Sequence, residues 1–254
     1  MNPFDLSGRV AVVTGGNGGI GLGMARGLGA AGARIVVAAR NLEKSMVAVE
    51  RLKQDGAEAV AIAVEVTDES SVAALFEQCS VQCGRVDILV NNAGTNIRRP
   101  PQDCSVDDWH AVVDTNLTST FLCSRAAYVH LKRAGGGKIV NIGSMMSVFG
   151  APYAPAYAAS KGGVVQLTKS MATAWAADNI QVNAILPGWI DTELTQAARR
   201  QVDGLNERVL ARTPAGRWGR PEDLAGVAVF LASAASNFIT GATLAVDGGF
   251  SAQA

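Results

Sequence analysis

Short, almost uninterrupted apolar runs alternate with longer helical patterns along the whole chain. Strands covered by helices on both faces show such runs, whereas half-exposed strands alternate apolar and polar residues. Strands separated by helices are joined by right-handed crossovers and so lie parallel in a doubly wound sheet. The runs are residues 9–13, 34–38, 58–64, 86–90, 138–142, 181–185 and 243–246. We therefore predict an α/β fold with one parallel sheet of seven strands flanked by helices.

Nothing in the sequence divides the chain into separate units. No Pro/Gly/Ser-rich linker, charge run or internal repeat occurs, so we predict a single domain over residues 1–254. Residues 191–215 differ from the rest because they are more polar, with Glu193, Arg199 and Arg200 among them. We predict that this segment, called the lid below, is mobile and covers a substrate site.

Charge and composition exclude several classes of function. Lys+Arg and Asp+Glu balance at 22 each, which argues against nucleic acid or an anionic membrane as a partner. The apolar runs fall short of the roughly 20 residues needed to span a bilayer, and the N-terminus has no signal-like core. The four cysteines and two histidines lack zinc-ligand spacing, so no metal site is expected. These features favour a cytoplasmic protein with reduced thiols that acts on a small molecule.

A glycine-rich turn follows the first predicted strand and opens into a helix. The segment reads Thr14-Gly15-Gly16-Asn17-Gly18-Gly19-Ile20-Gly21. Glycines permit a tight turn and let the backbone approach a pyrophosphate, which the unpaired N–H groups at the helix start can bind. A glycine cluster alone could also be a structural turn, but its position between a buried strand and a helix predicts a dinucleotide site.

The spacing Thr14-Gly15-x-x-x-Gly19-x-Gly21 resembles the signature of the short-chain dehydrogenase/reductase family. Further landmarks of that family follow in order: Asn91-Asn92-Ala93-Gly94, Asn116, Ser144, Tyr157-x-x-x-Lys161, Pro187-Gly188 and Asp247-Gly248-Gly249. The resemblance covers essentially the whole chain. It implies a Rossmann-type fold, hydride transfer between a nicotinamide dinucleotide and a carbonyl or alcohol, and a homotetramer formed through two helices and the C-terminal strand.

The residues themselves support an acid–base role for Tyr157. Tyr157 and Lys161 lie four apart in a predicted helix at 156–177, so they share a face. A tyrosine pKa of about 10 is too high for ready proton loss, and a nearby cation lowers it. Such a pair would usually be an ordinary contact, but Ser144 follows a strand at the sheet edge where ligands bind. Its hydroxyl could hydrogen-bond the reacting oxygen, and Ser147 is the competing serine.

The family resemblance implies a role for each matched residue. Tyr157 would protonate the carbonyl oxygen, Ser144 would orient and polarise it, and Lys161 would lower the tyrosine pKa and hold the nicotinamide ribose. Asn116, placed in a long helix, would position Lys161 through a water-linked relay.

The resemblance also implies the cofactor contacts. They are Gly15, Asn17, Gly19, Ile20, Gly21, Arg40, Glu65, Val66, Asn92, Ala93, Gly94, Tyr157, Lys161, Pro187, Gly188, Ile190 and Thr192. Relatives that prefer NAD usually have an acid where this chain has Ala39, and Arg40 could pair with a 2′-phosphate. We therefore favour NADP over NAD, although Gly18 lacks the basic residue common in NADP enzymes. Glu65 replaces the usual aspartate near the adenine.

Two adjacent arginines suggest the class of substrate. Arg98 and Arg99 follow the Asn-Asn-Ala-Gly turn, and arginine suits carboxylate recognition. This stretch, with 143–145 and 214–219, resembles the gluconate 5-dehydrogenase and 2-deoxy-gluconate 3-dehydrogenase branch, which implies a sugar acid. The predicted substrate contacts are Arg99, Ser144, Met146, Tyr157 and Trp189.

Other interpretations of these features stay open. Both arginines could instead face solvent or a neighbouring subunit. A 3-oxoacyl-thioester reductase shares the same skeleton and is the alternative enzyme. A non-catalytic dinucleotide sensor would require loss of the proton-transfer residues, and Ser144, Tyr157 and Lys161 are all present.

Overall fold

In the computed structural model, which describes residues 2–253, seven parallel strands form one sheet in the order β3-β2-β1-β4-β5-β6-β7. They are β1 (Val10–Thr14), β2 (Arg34–Ala39), β3 (Ala59–Ala63), β4 (Ile88–Asn91), β5 (Gly137–Ile142), β6 (Ile180–Pro187) and β7 (Thr243–Val246). The predicted parallel sheet of seven strands is confirmed. The strand ends lie up to two residues from the predicted ones, because apolar residues continue into unpaired connections.

Helices cover both faces of the sheet. They are α1 (Gly19–Ala30), α2 (Leu42–Gln54), α3 (Glu69–Cys83), α4 (Val106–Val113), α5 (Ser119–Arg133), α6 (Pro155–Trp175), α7 (Glu193–Gln201), α8 (Leu205–Arg212) and α9 (Ala225–Ala232). Helices α1, α2 and α9 pack on one face and α3, α5 and α6 on the other. Along β1, Ala11 and Val13 enter the first core, whereas Val10 and Val12 enter the second. The uninterrupted apolar strands follow from this two-sided burial.

The strand order reverses between β1 and β4, and this reversal positions the functional site. From β1 the chain builds outward through β2 and β3, then returns to place β4 on the other side of β1. The carboxyl ends of β1 and β4 are in register, with Thr14 opposite Asn91. The connections leaving these two ends diverge, which opens a crevice of the kind that binds ligands in doubly wound sheets.

Asn116 lies in a long helical run, as predicted, but at an irregular turn within it. A π-helical turn, Asp114–Thr118, joins α4 to α5. The Thr120 hydroxyl donates to the Asn116 carbonyl oxygen at 2.8 Å, which compensates for the irregular backbone pairing. Such widened turns occur where a side chain must be aimed at a functional site, and neither Gly nor Pro marks this one in the sequence.

The lid folds as α7 and α8 around an apolar cluster of its own. Ala198, Leu205 and Val209 are buried there, with Trp189 and Trp218 packed against them. This cluster is separate from the two cores of the sheet. Within residues 2–253, no helix combines the length and the apolar character needed to cross a membrane.

Candidate active site

The glycine-rich turn forms a cradle with little room for side chains. Gly15 has a φ of +63°, a conformation that favours glycine. A Cβ atom on Gly21 would overlap the Gly15 carbonyl oxygen and the Asn92 side-chain amide. Helix α1 begins at Gly19, and its N-cap residue Gly18 makes no side-chain capping bond. The first backbone N–H groups of α1 are therefore left to an anion, which fits the pyrophosphate of a dinucleotide.

Thr14 joins this turn to the end of β4, a role that the sequence reasoning missed. Its hydroxyl oxygen accepts from the backbone N–H groups of Asn92 (3.0 Å) and Ala93 (3.1 Å). In return, the Asn92 amide donates to the carbonyl oxygens of Thr14 and Gly15, both at 3.1 Å. The structure thus brings Asn92, Ala93 and Gly94 beside the turn. A polar residue at the end of the buried β1 was the available signal.

Ser144, Tyr157 and Lys161 meet where β5 and α6 come together. The Lys161 ammonium donates to the Ile142 carbonyl oxygen at 2.7 Å and lies 5.7 Å from the centroid of the Tyr157 ring. Ser144 accepts from the Met146 N–H at 3.1 Å, and its hydroxyl is also within hydrogen-bonding reach of the Tyr157 phenol. With Asn116, these residues are called the catalytic floor below.

Ser147 lies behind the floor and holds it together. Its hydroxyl donates to the Lys161 carbonyl oxygen at 2.8 Å and accepts from the Ser144 N–H at 3.1 Å. One side chain thereby ties the loop after β5 to the helix that carries the tyrosine. Because its hydroxyl is committed to these two backbone groups, Ser147 positions Ser144 rather than competing with it.

Asn116 is buried and fully hydrogen-bonded. Its side-chain oxygen accepts from the Thr95 N–H at 2.8 Å, and its amide donates to the Thr95 carbonyl oxygen at 3.0 Å. The amide also donates to the Ser160 hydroxyl at 3.1 Å. A Cβ atom on Gly94 would stand 3.2 Å from the Asn116 oxygen and 3.7 Å from the Lys161 nitrogen. Asn116 and Lys161 thus both lie next to the Gly94 backbone, and the role of Asn116 in positioning Lys161 through a water relay stays a prediction.

Burial dominates the electrostatics of the floor. It raises the pKa of Tyr157, and the Ser144 hydroxyl and the Arg98 charge offset that rise only in part. Burial also lowers the pKa of Lys161 to about 8. The Lys161 ammonium is desolvated and directed at the Ile142 carbonyl oxygen, and a role of Lys161 in lowering the tyrosine pKa stays a prediction. The cation that lowers the pKa of Tyr157 is Arg98.

The two arginines of the rim have different surroundings. The half-buried Arg98 donates to the Gln201 side-chain oxygen (3.0 Å) and the Leu194 carbonyl oxygen (3.3 Å), both in α7. Burial lowers the pKa of Arg98, whereas the neighbouring phenols, Tyr157 among them, raise it. Arg99 is 58% exposed and pairs with Asp108 at 3.9 Å. The structure therefore brings Arg98, and not the predicted Arg99, to the catalytic floor.

The end of β2 carries the residues expected near the adenosine ribose. Arg40 is exposed, and its guanidinium lies 3.6 Å from the Glu65 carboxylate. Glu65 is held by the Thr67 hydroxyl at 2.8 Å, and Val66 behind it is buried. The Asn17 amide donates to the Ser45 hydroxyl at 3.2 Å and so ties the glycine-rich turn to α2. No acid stands at Ala39 to repel a phosphate.

The remaining predicted cofactor residues lie on the lid side of the crevice. Gly188 follows Pro187, and a Cβ atom on Gly188 would stand 2.6 Å from the Asp247 Cα. Thr192 caps α7, and its methyl carbon lies 3.3 Å from the Cβ position of Gly19. Ile190 and Ile20 instead pack into the core beneath the crevice. The apolar side chains of these two isoleucines therefore support the site from below.

Met146 and Trp189, predicted at the substrate site, belong to one small apolar cluster with Met145, Leu186 and Phe250. Trp189 also packs edge-on against Trp218, with ring centroids 5.6 Å apart, and so links this cluster to the lid. Its indole N–H is buried without a hydrogen-bond partner among residues 2–253. An unpaired buried donor is costly, so a ligand oxygen would relieve it.

Chemically, this arrangement can transfer a proton at the edge of a dinucleotide cradle. A phenol, a serine hydroxyl and a buried ammonium converge near the carboxyl ends of β4 and β5. In the part of the chain that the structure describes, no cluster of three or more His, Cys, Asp or Glu side chains could hold a metal ion. The phenol, the hydroxyl and the ammonium offer acid–base transfer by the protein, and a bound nucleotide would supply the redox chemistry.

Comparison with known proteins places this site within a large group of relatives. A family model described as enoyl-(acyl carrier protein) reductase matches residues 15–251. The chain is 43% identical to the 2-dehydro-3-deoxy-D-gluconate 5-dehydrogenase of Dickeya dadantii, across 100% of this chain and 99% of that protein. It is 42% identical to the 5-keto-D-gluconate 5-reductase of Escherichia coli, across 97% and 96%.

A solved structure is similar over the same extent. The gluconate 5-dehydrogenase of Burkholderia cenocepacia, in complex with NADP and tartrate, is 42% identical and superimposes with a TM-score of 0.95. The match covers 100% of this chain and 99% of that one. Both the glycine-rich turn and the catalytic floor lie inside the matched region.

Proposed function

The chain belongs to the short-chain dehydrogenase/reductase family, and we propose that it interconverts a sugar acid and its keto form with NADP(H). It is an NAD(P)-dependent oxidoreductase that acts on a CH–OH donor or the matching carbonyl. Several relatives of similar identity are named for 5-keto-gluconate or gluconate chemistry. An acyl thioester, the alternative class of substrate, is named in the description of the family model but not in the names of these relatives.

The proton chemistry of the proposed reaction follows from the catalytic floor. When bound, the nicotinamide supplies or accepts the hydride at the reacting carbon. Because burial raises the pKa of Tyr157, its phenol is protonated near neutral pH and ready to protonate the carbonyl oxygen in the reducing direction. The Ser144 hydroxyl proton can hydrogen-bond the same oxygen as negative charge develops on it. Lys161 has donors left over for the cofactor ribose.

One observation carries the assignment to an acid substrate: the half-buried guanidinium of Arg98, held by Gln201 of α7, is near enough to Tyr157 for its charge to oppose the rise in the pKa of the phenol. A partly desolvated guanidinium is a strong site for a carboxylate, which it can bind with two parallel hydrogen bonds. Its present partners, the Gln201 amide oxygen and the Leu194 carbonyl oxygen, carry no formal charge. A substrate carboxylate can replace them at little cost, which would place its keto carbon near the phenol.

The choice of NADP has support at the end of β2. Arg40 offers a charged partner for a 2′-phosphate, and Ala39 leaves that position without a repelling carboxylate. The gluconate 5-dehydrogenase of Burkholderia cenocepacia was crystallised with NADP. Two further relatives of 40% and 43% identity also contain NADP.

The experiment compares Arg98→Gln with Arg99→Gln, using keto-hexonates and oxoacyl thioesters with NADPH and NADH. The wild-type enzyme should reduce a keto-hexonate with NADPH. Loss of one half-buried, charge-assisted carboxylate contact should raise the KM of Arg98→Gln by roughly 10- to 100-fold. Arg99→Gln is the matched control, since its side chain is exposed, and its KM should stay near that of the wild-type enzyme.

Two results would contradict the proposal. Reduction of an oxoacyl thioester with no turnover of any keto-hexonate would move the substrate to the thioester class. Equal KM values for both arginine variants would remove Arg98 as the carboxylate site. Tartrate, as a competitive probe, should lose affinity in Arg98→Gln only.

The proposal extends to the lid, the assembly and the location. We infer that the lid moves, because exposed contacts such as that of Lys44 with Glu193 connect it to the body.

A homotetramer would cover apolar side chains on the α4–α5 surface and near β7 that are exposed in the single chain. They include Trp109, Phe121 and Phe238. Cysteines that stay reduced suit a cytoplasmic location.

A further inference from the structure

The end of the Lys44 side chain occupies the space above Gly18. A Cβ atom built on Gly18 would stand 3.4 Å from the Lys44 Cε and 3.5 Å from its Nζ. Lys44 belongs to the first turn of α2, where its backbone N–H is capped by the Asn41 side chain at 2.9 Å. The glycine-rich turn has no basic residue of its own at Gly18, and a lysine from another element places its ammonium there instead.

Lys44 is held in this place by the lid. Its ammonium donates to both carboxylate oxygens of Glu193, at 3.0 and 3.2 Å. Glu193 is the first residue of α7, and its side chain is 87% exposed. This contact, with that of Thr192 on Gly19, links α2 and the glycine-rich turn to the lid across the mouth of the crevice.

The position of this ammonium coincides with the part of the fold that distinguishes the two dinucleotides. In doubly wound sheets, the adenosine ribose lies between the glycine-rich turn and the end of β2, where an acid binds the free 2′-hydroxyl or a cation binds the 2′-phosphate. Arg40 stands on the β3 side of that place, paired with Glu65. Lys44 stands on the glycine-turn side, paired with Glu193. A doubly charged phosphate between them would have a cation on each side.

The Glu193 carboxylate is a partner that a phosphate can displace. Exposed ion pairs contribute little to stability, because water solvates both charges well and salt screens them. A phosphate monoester carries more negative charge than a carboxylate and has three acceptor oxygens, and lysine is a common phosphate ligand. Exchange of Glu193 for the 2′-phosphate therefore favours the phosphorylated dinucleotide. NAD has no group at this position to make the same exchange.

We propose that Lys44 is a specificity-determining residue that binds the 2′-phosphate of NADP(H) from the side of the glycine-rich turn, and that Glu193 holds it in place until the cofactor arrives. This inference rests on the proposed NADP-dependent function. It also assigns Glu193 a defined effect: as a competing carboxylate next to the phosphate site, it weakens NADP binding and leaves NAD binding nearly unchanged.

The test measures dissociation constants for NADP⁺ and NAD⁺ by calorimetry on the full-length protein and four variants. Lys44→Gln should weaken NADP⁺ binding about 10-fold, the value of one charge-assisted contact, and leave NAD⁺ unchanged. Lys44→Arg keeps the charge and should retain most of the preference. Glu193→Gln should tighten NADP⁺ binding about two- to three-fold.

Lys53→Gln is the matched control. Lys53 lies on the same helix and is similarly exposed, but its ammonium pairs with Glu50 at 3.0 Å, far along α2 from the turn. Its variant should bind both dinucleotides like the wild-type protein. If Lys44→Gln binds both dinucleotides like Lys53→Gln, or loses affinity for both equally, Lys44 does not bind the 2′-phosphate. A wild-type protein that binds NAD⁺ better than NADP⁺ would overturn the proposed cofactor itself, before any variant is compared.

Discussion

The catalytic floor and the lid are held by different kinds of interaction. Lys161 and Asn116 of the floor, and Ser147 behind it, make short hydrogen bonds to backbone groups. The lid is attached to the body by Lys44–Glu193 and by Arg98–Gln201, both at the surface. Buried bonds are hardly screened by salt and are expensive to break, whereas exposed pairs exchange readily with ligands. The reacting geometry is therefore fixed, and the groups that select substrate and cofactor are free to change partners.

The sharpest test of this contrast removes the proton donor alone. In Tyr157→Phe the ring remains and the hydroxyl is lost, so we expect kcat to fall by roughly 1,000-fold, the typical contribution of general acid catalysis. The affinity for NADP⁺ should change little. Steady-state kinetics and calorimetry measure the two quantities.

Tyr153→Phe is the matched control for that variant. Tyr153 is also half-buried; burial raises its pKa, and the Arg98 charge offsets part of that rise, as it does for Tyr157. Its variant should keep kcat within a few-fold of the wild-type value. Near-normal turnover by Tyr157→Phe, or an equal loss in both variants, would remove Tyr157 from the role of donor.

The parts of the floor that could be predicted are those specified by local patterns. The apolar strands predict a buried parallel sheet, the glycine spacing predicts the cradle, and the four-residue spacing of Tyr157 and Lys161 predicts a shared helix face. Ser144 follows from its place after a strand. Each of these depends on residues close together in the sequence or on the general rule that ligands bind at the carboxyl ends of parallel strands.

The remaining features depend on contacts between distant parts of the chain. Lys44 and Glu193 are 149 positions apart, and Arg98 and Gln201 are 103 apart. Adjacent arginines look alike in sequence, and only the tertiary fold directs Arg98 toward the phenol. The effect of burial on the Tyr157 pKa could not be predicted for the same reason, since burial is a property of the whole structure.

A smaller effect is expected when the lid is loosened. The Arg199 guanidinium pairs with Asp191 and lies over the Trp218 ring, 4.1 Å from its centroid, so it fixes α7 to the segments at both ends of the lid. Arg199→Gln removes both contacts, together worth about 1 kcal/mol, and should raise the substrate KM by about five-fold with kcat nearly unchanged.

The neighbouring residue supplies the control. Arg200 is exposed, and Arg200→Gln should leave KM unchanged. Added salt should raise the KM of the wild-type enzyme toward that of Arg199→Gln, because part of the lost interaction is an ion pair. A fall in kcat without a change in KM would show that Arg199 acts on the floor and that the lid and floor are not separate in function.

The smallest expected effect concerns the charge of the floor before any ligand binds. Lys161 and Lys138 are both buried, and burial lowers the pKa of each to about 8, against 10.5 for a free lysine. Near pH 8 the unfolded chain therefore holds protons that the folded protein has begun to release. Each lysine therefore makes the free energy of unfolding increase with pH, by about 0.7 kcal/mol from about pH 7.5 to about 8.5.

Replacement of each lysine by methionine isolates the contribution of that lysine to the pH dependence of stability. Buried thiols such as Cys79 and Cys123 have a raised pKa, which acts in the opposite sense. Their contribution is the same in the wild-type and variant proteins and therefore cancels. Denaturant unfolding at both pH values should show the same lost pH dependence in Lys161→Met and Lys138→Met. Lys138 bonds Asn237 and Ser236 at the opposite end of β5, so only Lys161→Met should also lose turnover. An unchanged pH dependence in Lys161→Met would mean that its ammonium stays fully charged in the floor, and a cation able to lower the Tyr157 pKa would then be in place before the cofactor binds.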